Sequence, residues 1–219
     1  GGTVEIEGKV DRVDVMRRHG NSYVRVIDYK TGSKEFKLSD VLYGLNMQML
    51  LYLSAIWKNG GERYGKVVPA GVLYMPASRP TISTERDAGE EQVRKEQDKK
   101  LRMNGLILDD PEVISGMEHK AQGIFIPVAL KDGRPAKLDA VASFAQMGYV
   151  VKYMESLVVK MAMNLQQGNI EAVPVSGEYQ ACDWCPYRPV CRHEEGGATR
   201  QVEKWDREQV MKKLEEEEA

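Results

Sequence analysis

Two carboxylates and an ammonium are spaced in this chain so that folding into strands would gather them. In the run Val24-Arg25-Val26-Ile27-Asp28-Tyr29-Lys30 the β-branched residues favour a strand, and Thr31-Gly32-Ser33 ends it. Alternation puts Asp28 and Lys30 on one face, with Ile27 and Tyr29 on the other. Upstream, Gly8-Lys9-Val10-Asp11-Arg12-Val13-Asp14 reads as a second strand. The turn formers His19-Gly20-Asn21-Ser22 fold the two into a hairpin, which brings Asp11 within reach of Asp28. Two carboxylates at the ends of paired strands can hold Mg2+, or Mn2+ in its place, through hard oxygen ligands. The main-chain carbonyl of Tyr29 can add another oxygen. Lys30 can orient or help deprotonate an attacking water, or stabilise the charge that builds on a pentavalent phosphorane. That is the chemistry of metal-assisted phosphodiester cleavage. Taken alone, a D-x-K pair on a strand is also the pattern of an ion pair on a half-exposed sheet.

Two further groups carry possible chemistry. Gln48 and Tyr52, four apart in Asn46-Met47-Gln48-Met49-Leu50-Leu51-Tyr52, share one helix face and can hydrogen-bond the carboxylate site, its lysine or a DNA backbone. A glutamine that merely faces water gives the same spacing. Cys182, Cys185 and Cys191 form a C-x2-C-x5-C cluster whose loop is bent by Pro186 and Pro189. The spacing is that of a metal or cluster knuckle. His193 could complete a Cys3His zinc site, whereas an iron-sulfur cluster would need a fourth ligand, and the chain has three cysteines.

The elements that must position these groups follow from pattern. The opening Gly1-Gly2-Thr3 leads straight into an expected strand, Val4 to Gly8, as in a fragment excised from a larger subunit. Leu38-Ser39-Asp40 supplies an N-cap for a mostly buried helix from Val41 to Lys58, closed by Asn59-Gly60-Gly61. Lys66 to Met75 suits a central strand, with Pro69 moving its ordered start to about Ala70. Thr84 to Met103 is too charged for a core-facing stripe and reads as a solvated helix or excursion. Leu106 to Gly123 reads as short helical turns and loop, with a helix start at Asp109-Asp110-Pro111-Glu112. Ile124 to Val128 suits an edge strand, Lys131 to Pro135 a turn, and Leu138 to Gln167 a long helix. The methionines of that helix, Met147, Met154, Met161 and Met163, are core filling. Val202 to Ala219 reads as a charged, solvated helical tail.

Composition bounds the class. At 219 residues the chain can bury a real core, and a net charge of −2 gives no global signature of nucleic-acid binding. DNA contacts would have to come from local groups such as Arg12, Arg17, Arg18, Lys34 and Lys37. Three cysteines confined to one short stretch do not make a secreted disulfide framework, and no apolar run is long enough to cross a bilayer. The expectation is a soluble, intracellular protein.

The combination is more specific than its parts. G-K-V-D at Gly8 to Asp11, I-D-Y-K at Ile27 to Lys30, Q-M-L-L-Y at Gln48 to Tyr52 and C-x2-C-x5-C at Cys182 to Cys191 occur in this order. Together they resemble the RecB-like PD-(D/E)xK nucleases of the iron-sulfur branch, in particular the C-terminal nuclease domain of AddB-type helicase-nuclease subunits, over residues 4 to 193. The resemblance implies an α/β, restriction-endonuclease-like core: a mixed central sheet flanked by helices, with a nuclease domain over 1–193 and a helical tail over 194–219. It implies that Asp11 and Asp28 bind metal, that Lys30 is the catalytic lysine, and that Gln48 and Tyr52 form the Q-x-x-x-Y helix. Cys182, Cys185 and Cys191 would be three ligands of a [4Fe-4S] cluster whose first cysteine lies far upstream, so the cluster would be incomplete in this chain. An assisting upstream acid is not evident unless Glu5 or Glu7 serves. The implied activity is Mg2+-dependent exonucleolytic cleavage of single-stranded DNA, on the strand with a 5' end. It would act beside a partner helicase-nuclease subunit in double-strand-break repair, in the bacterial cytoplasm at the nucleoid. The alternative is a non-catalytic, nuclease-like module that binds DNA ends or a partner and carries a zinc knuckle.

Overall fold

The computed structural model describes residues 3–32, 34–191, 193 and 196–218. Gly1 and Gly2, Ser33 of the expected turn, and Glu194, Glu195 and Ala219 of the expected tail lie outside the described residues. A hairpin opens the fold. Strands β1 (Arg12–Arg18) and β2 (Asn21–Lys30) pair antiparallel through a turn in which His19 and Gly20 both take positive φ, as a tight hairpin between right-twisted strands requires. Three short or amphipathic helices follow: α1 (Leu38–Leu42), α2 (Gln48–Asn59) and α3 (Gly61–Tyr64). They lead into β3 (Lys66–Pro76), which lies parallel to β2. Next come α4 (Glu90–Leu101), β4 (Asn104–Leu108) and α5 (Pro111–Met117), then a small hairpin of β5 (Leu130–Lys131) and β6 (Arg134–Pro135). The chain ends with β7 (Val141–Ala142), α6 (Phe144–Gln166), β8 (Val175–Gly177), β9 (Arg200–Val202) and α7 (Arg207–Glu218).

Among the described residues, the main sheet has the order β1-β2-β3-β4-β7 and mixes parallel with antiparallel pairs. Period-2 alternation gives it two apolar faces. Val26, Val72, Tyr74 and Leu106 pack against the buried sides of α1, α2, α6 and α7. Ile27, Leu73, Ile107 and Val141 pack on the opposite face against Ile114 of α5 and the 121–128 segment. The fold is the mixed α/β sheet flanked by helices that the motifs imply. It runs from the hairpin to the last helix, because Val210, Met211 and Leu214 of α7 belong to the first of these cores.

Several expectations need correction. Residues 4–8 form no strand; they run over the surface, with Ile6 56% exposed. The single helix expected from Val41 to Lys58 is two, because Gly44 and Asn46 take positive φ, a conformation that interrupts a right-handed helix. Pro69 lies inside β3; a register shift opposite Val24 and Arg25 absorbs it, since proline has no N–H to give the ladder. Leu106 to Leu108 belong to a central strand, β4, in place of the start of the expected helical turns, which begin only at α5. Residues 124–128 form no strand, yet Ile126 and Val128 are buried: three backbone N–H groups there are taken by the Glu118 carboxylate. The last helix is no solvated tail. Its charged composition hides a narrow apolar stripe that packs on α1 and α6.

Candidate active site

The β1–β2 register pairs Arg12 with Ile27, and one residue further it sets Asp11 opposite Asp28, on the same face. Asp11 Oδ2 accepts the backbone N–H of Tyr29 at 3.1 Å, which fixes that carboxylate against the backbone between Asp28 and Lys30. Asp28 is 7% exposed, and Lys30 Nζ forms an ion pair with its Oδ2. That buried oxygen receives no hydrogen bond of regular geometry. Tyr29, between them, turns its ring outward, where Arg12 donates to its hydroxyl.

The row continues across the sheet with residues that sequence reasoning missed. On β3, Tyr74 pairs with Asp28, and on β4, Asn104 pairs with Tyr74. The Tyr74 ring lies 5.3 Å from Lys30 Nζ and 5.5 Å from Lys34 Nζ, so it offers its negative face to two ammonium groups. Burial, and then the nearby charges of Asp28 and Asp40, push the Tyr74 phenol above its ordinary value, so it stays neutral. Asn104 Oδ1 accepts the N–H of Phe36 at 2.6 Å, and its amide reaches the Lys34 carbonyl, tying the loop after β2 over the site. In the sequence, Tyr74 is one more apolar residue of a strand, and its neighbour on a parallel crossover is not encoded in spacing.

The structure places the other expected residues unevenly. Gln48 Nε2 donates to Tyr52 Oη at 3.0 Å, so the two pair with each other rather than with Lys30. A Cβ added to Gly8 would stand 2.5 Å from Tyr52 Cε1. A side chain at position 8 would force that ring or the segment leading to Asp11 to shift. Glu5 and Glu7 are exposed. Arg12 is engaged by Asp14 and Arg18 by Glu112, Lys37 lies over the Tyr179 ring, and Arg17 is exposed. Cys182 and Cys185 are half-buried, Cys191 is exposed, and among the described residues no three His, Cys, Asp or Glu side chains gather as metal ligands.

The donor set suits a hard divalent cation. Asp11, Asp28 and the Tyr29 carbonyl are all oxygen donors, and the buried Asp28 Oδ2 already holds one cationic group, the Lys30 ammonium. Two carboxylates against one ammonium also leave the site net negative.

An acidic pair on adjacent strands followed by a strand lysine, set on a mixed sheet beneath helices, defines a nuclease core. The sequence profile of the PD-(D/E)XK nuclease superfamily matches residues 1–192, and the chain belongs to that superfamily. It is also similar to proteins named as a subunit of an ATP-dependent helicase/deoxyribonuclease. It is 38% identical to that of Clostridium acetobutylicum and 35% identical to that of a Thermoanaerobacter species, over 99% of this chain in both cases. It spans 19% and 20% of those proteins' lengths, about a fifth.

Proposed function

We propose that this chain is the nuclease domain of a helicase-nuclease subunit and that it hydrolyses single-stranded DNA exonucleolytically with Mg2+. The observation that carries this reading is the row of Asp11, Asp28 and Lys30 at the end of the β1–β2 hairpin. Asp11, Asp28 and the Tyr29 carbonyl would hold the cation. When bound, the ion supplies charge neutralisation at the phosphate and a more acidic water. Lys30 then holds or moves a proton at the attacking water, or donates to a phosphate oxygen as charge develops. Asp28 and the Tyr74 ring keep its ammonium in place. Lys34, on the other lysine seat of that ring, is placed to meet a backbone phosphate of the DNA.

The likeness to those helicase/deoxyribonuclease proteins supports a larger assembly with a partner subunit, and the motif resemblance to RecB-like nucleases supports a role in DNA-break repair and a cytoplasmic location at the nucleoid. Among the described residues no helix is long and apolar enough to cross a membrane. The motif resemblance supports action on the strand with a 5' end. It also supports a [4Fe-4S] cluster to which Cys182, Cys185 and Cys191 contribute, with the remaining ligand elsewhere in a longer protein. Linear and circular single-stranded DNA of one sequence, incubated with Mg2+, test the exonuclease reading. Linear substrate should be consumed and circular substrate spared, with a label at the 5' end released first. Equal cleavage of both forms would overturn it.

A further inference from the structure

Both ends of the cysteine-bearing segment are fastened to one place, the corner between α1 and α2 that starts the helix carrying Gln48 and Tyr52. On the near side, the Tyr179 hydroxyl donates to Asp40, its oxygen 2.9 and 2.8 Å from the two carboxylate oxygens. Asp40 is 1% exposed, so its charge depends on partners for its stability. Asn46, held at φ +53°, donates its side-chain amide to Asp40 Oδ2, and the backbone N–H of Leu45 binds the Asp40 carbonyl at 2.9 Å. Met47 and Gln48 follow directly. On the far side, Tyr43 Oη accepts the N–H of Glu203 at 3.1 Å and the indole N–H of Trp205 at 2.9 Å. The stretch that carries Cys182, Cys185 and Cys191 is thus bounded by Tyr179, held on Asp40, and by Glu203 and Trp205, held on Tyr43, with β8 and β9 paired beside it.

We propose that Tyr179, acting through Asp40 and Asn46, is a positioning residue of the nuclease site. It sets the start of α2, and with it Gln48 and Tyr52, so that the arrangement of the cysteine-bearing loop is felt at the site. The proposal rests on the nuclease reading for its catalytic consequence but not for its mechanical one. Helix α2 has no side-chain cap at Met47, and the residue before that, Asn46, takes positive φ. The Asp40–Asn46 bond instead fixes the turn from which α2 starts, and Tyr179 holds the Asp40 carboxylate that accepts it.

The test is Tyr179→Phe in the 219-residue chain, which keeps the ring and its contact with Lys37 and removes the hydroxyl. By hydrogen exchange, the amides of residues 43–52 should exchange about ten-fold faster, while those of 24–30 keep their rates. With single-stranded DNA and Mg2+, kcat should fall about ten-fold at unchanged KM. Asp40→Ala should reproduce both effects, and adding Tyr179→Phe to it should cost nothing more. Unchanged exchange at 43–52, or faster exchange with unaltered kcat, overturns the proposal, as does full additivity of the two substitutions. If the wild-type chain and Asp28→Ala cleave equally, the nuclease reading falls by itself, because exchange at 43–52 still decides whether Tyr179 holds the corner.

Discussion

Lys30 has two partners inside the fold, the Asp28 carboxylate and the face of Tyr74. On the proposed reading, removing the ammonium by Lys30→Met should lower kcat by about 100-fold or more, and it should also lower the urea midpoint because the buried Asp28 carboxylate loses its cation, measured by steady-state cleavage beside urea unfolding. Tyr74→Phe should keep activity within about two-fold, because the ring and not the hydroxyl faces the lysines, whereas Tyr74→Leu should lose it. Glu118 shows the same logic applied to stability. Burial works to raise its carboxyl, but the N–H groups of Ile124, Phe125 and Ile126 outweigh burial and hold it below its ordinary value of 4.5. A carboxylate depressed in the folded state stabilises above its unfolded pKa, and that contribution is lost as pH falls through the lower folded value. Glu118→Gln should therefore cost about 2 kcal/mol at pH 7 and flatten the loss of stability below about pH 4.5, measured by urea unfolding across pH. At this scale Asp28 and Lys30 could be read from strand alternation, and Asp11 from the hairpin. Tyr74, Asn104 and Tyr179 could not, because each meets the site through a contact between chain segments far apart.

The elements divide by how much of their pattern is local. The hairpin, α2, α5 and α6 announce themselves: Asp110 accepts from the N–H groups of Glu112 and Val113 ahead of Pro111, and Ser143 forms a capping box with Gln146. Asp110→Ala should cost about 1 kcal/mol of unfolding free energy, read by urea titration, because it leaves those first-turn donors without a side-chain partner. The break between α1 and α2 was hidden, since Leu45 and Met47 continue the apolar pattern across it and only the backbone at Gly44 and Asn46 departs. Strand β4 was hidden for the opposite reason: five residues after a long charged helix carry too little period to distinguish strand from helix. Its place in the sheet is settled by pairing with β3 and β7.

Across the whole molecule, the last helix closes the structure that the first hairpin begins. Leu214 is fully buried among residues of α1 and α6, and Trp205 is held by Tyr43. Leu214→Asp should destabilise the chain by about 4 kcal/mol, seen as a lower urea midpoint, a cost a solvated tail would not show. The superfamily was legible because its motifs are short and local, and the C-terminal packing was not, because a helix rich in glutamate and lysine conceals three buried residues. The central claim is that Asp11, Asp28 and Lys30 form a metal-dependent nuclease site. Its most direct test is cleavage of linear single-stranded DNA by the wild-type chain and by Asp28→Ala, each with Mg2+ and with chelator. We predict cleavage by the wild type that chelator abolishes, and none above background by Asp28→Ala; equal cleavage by the two proteins would contradict it.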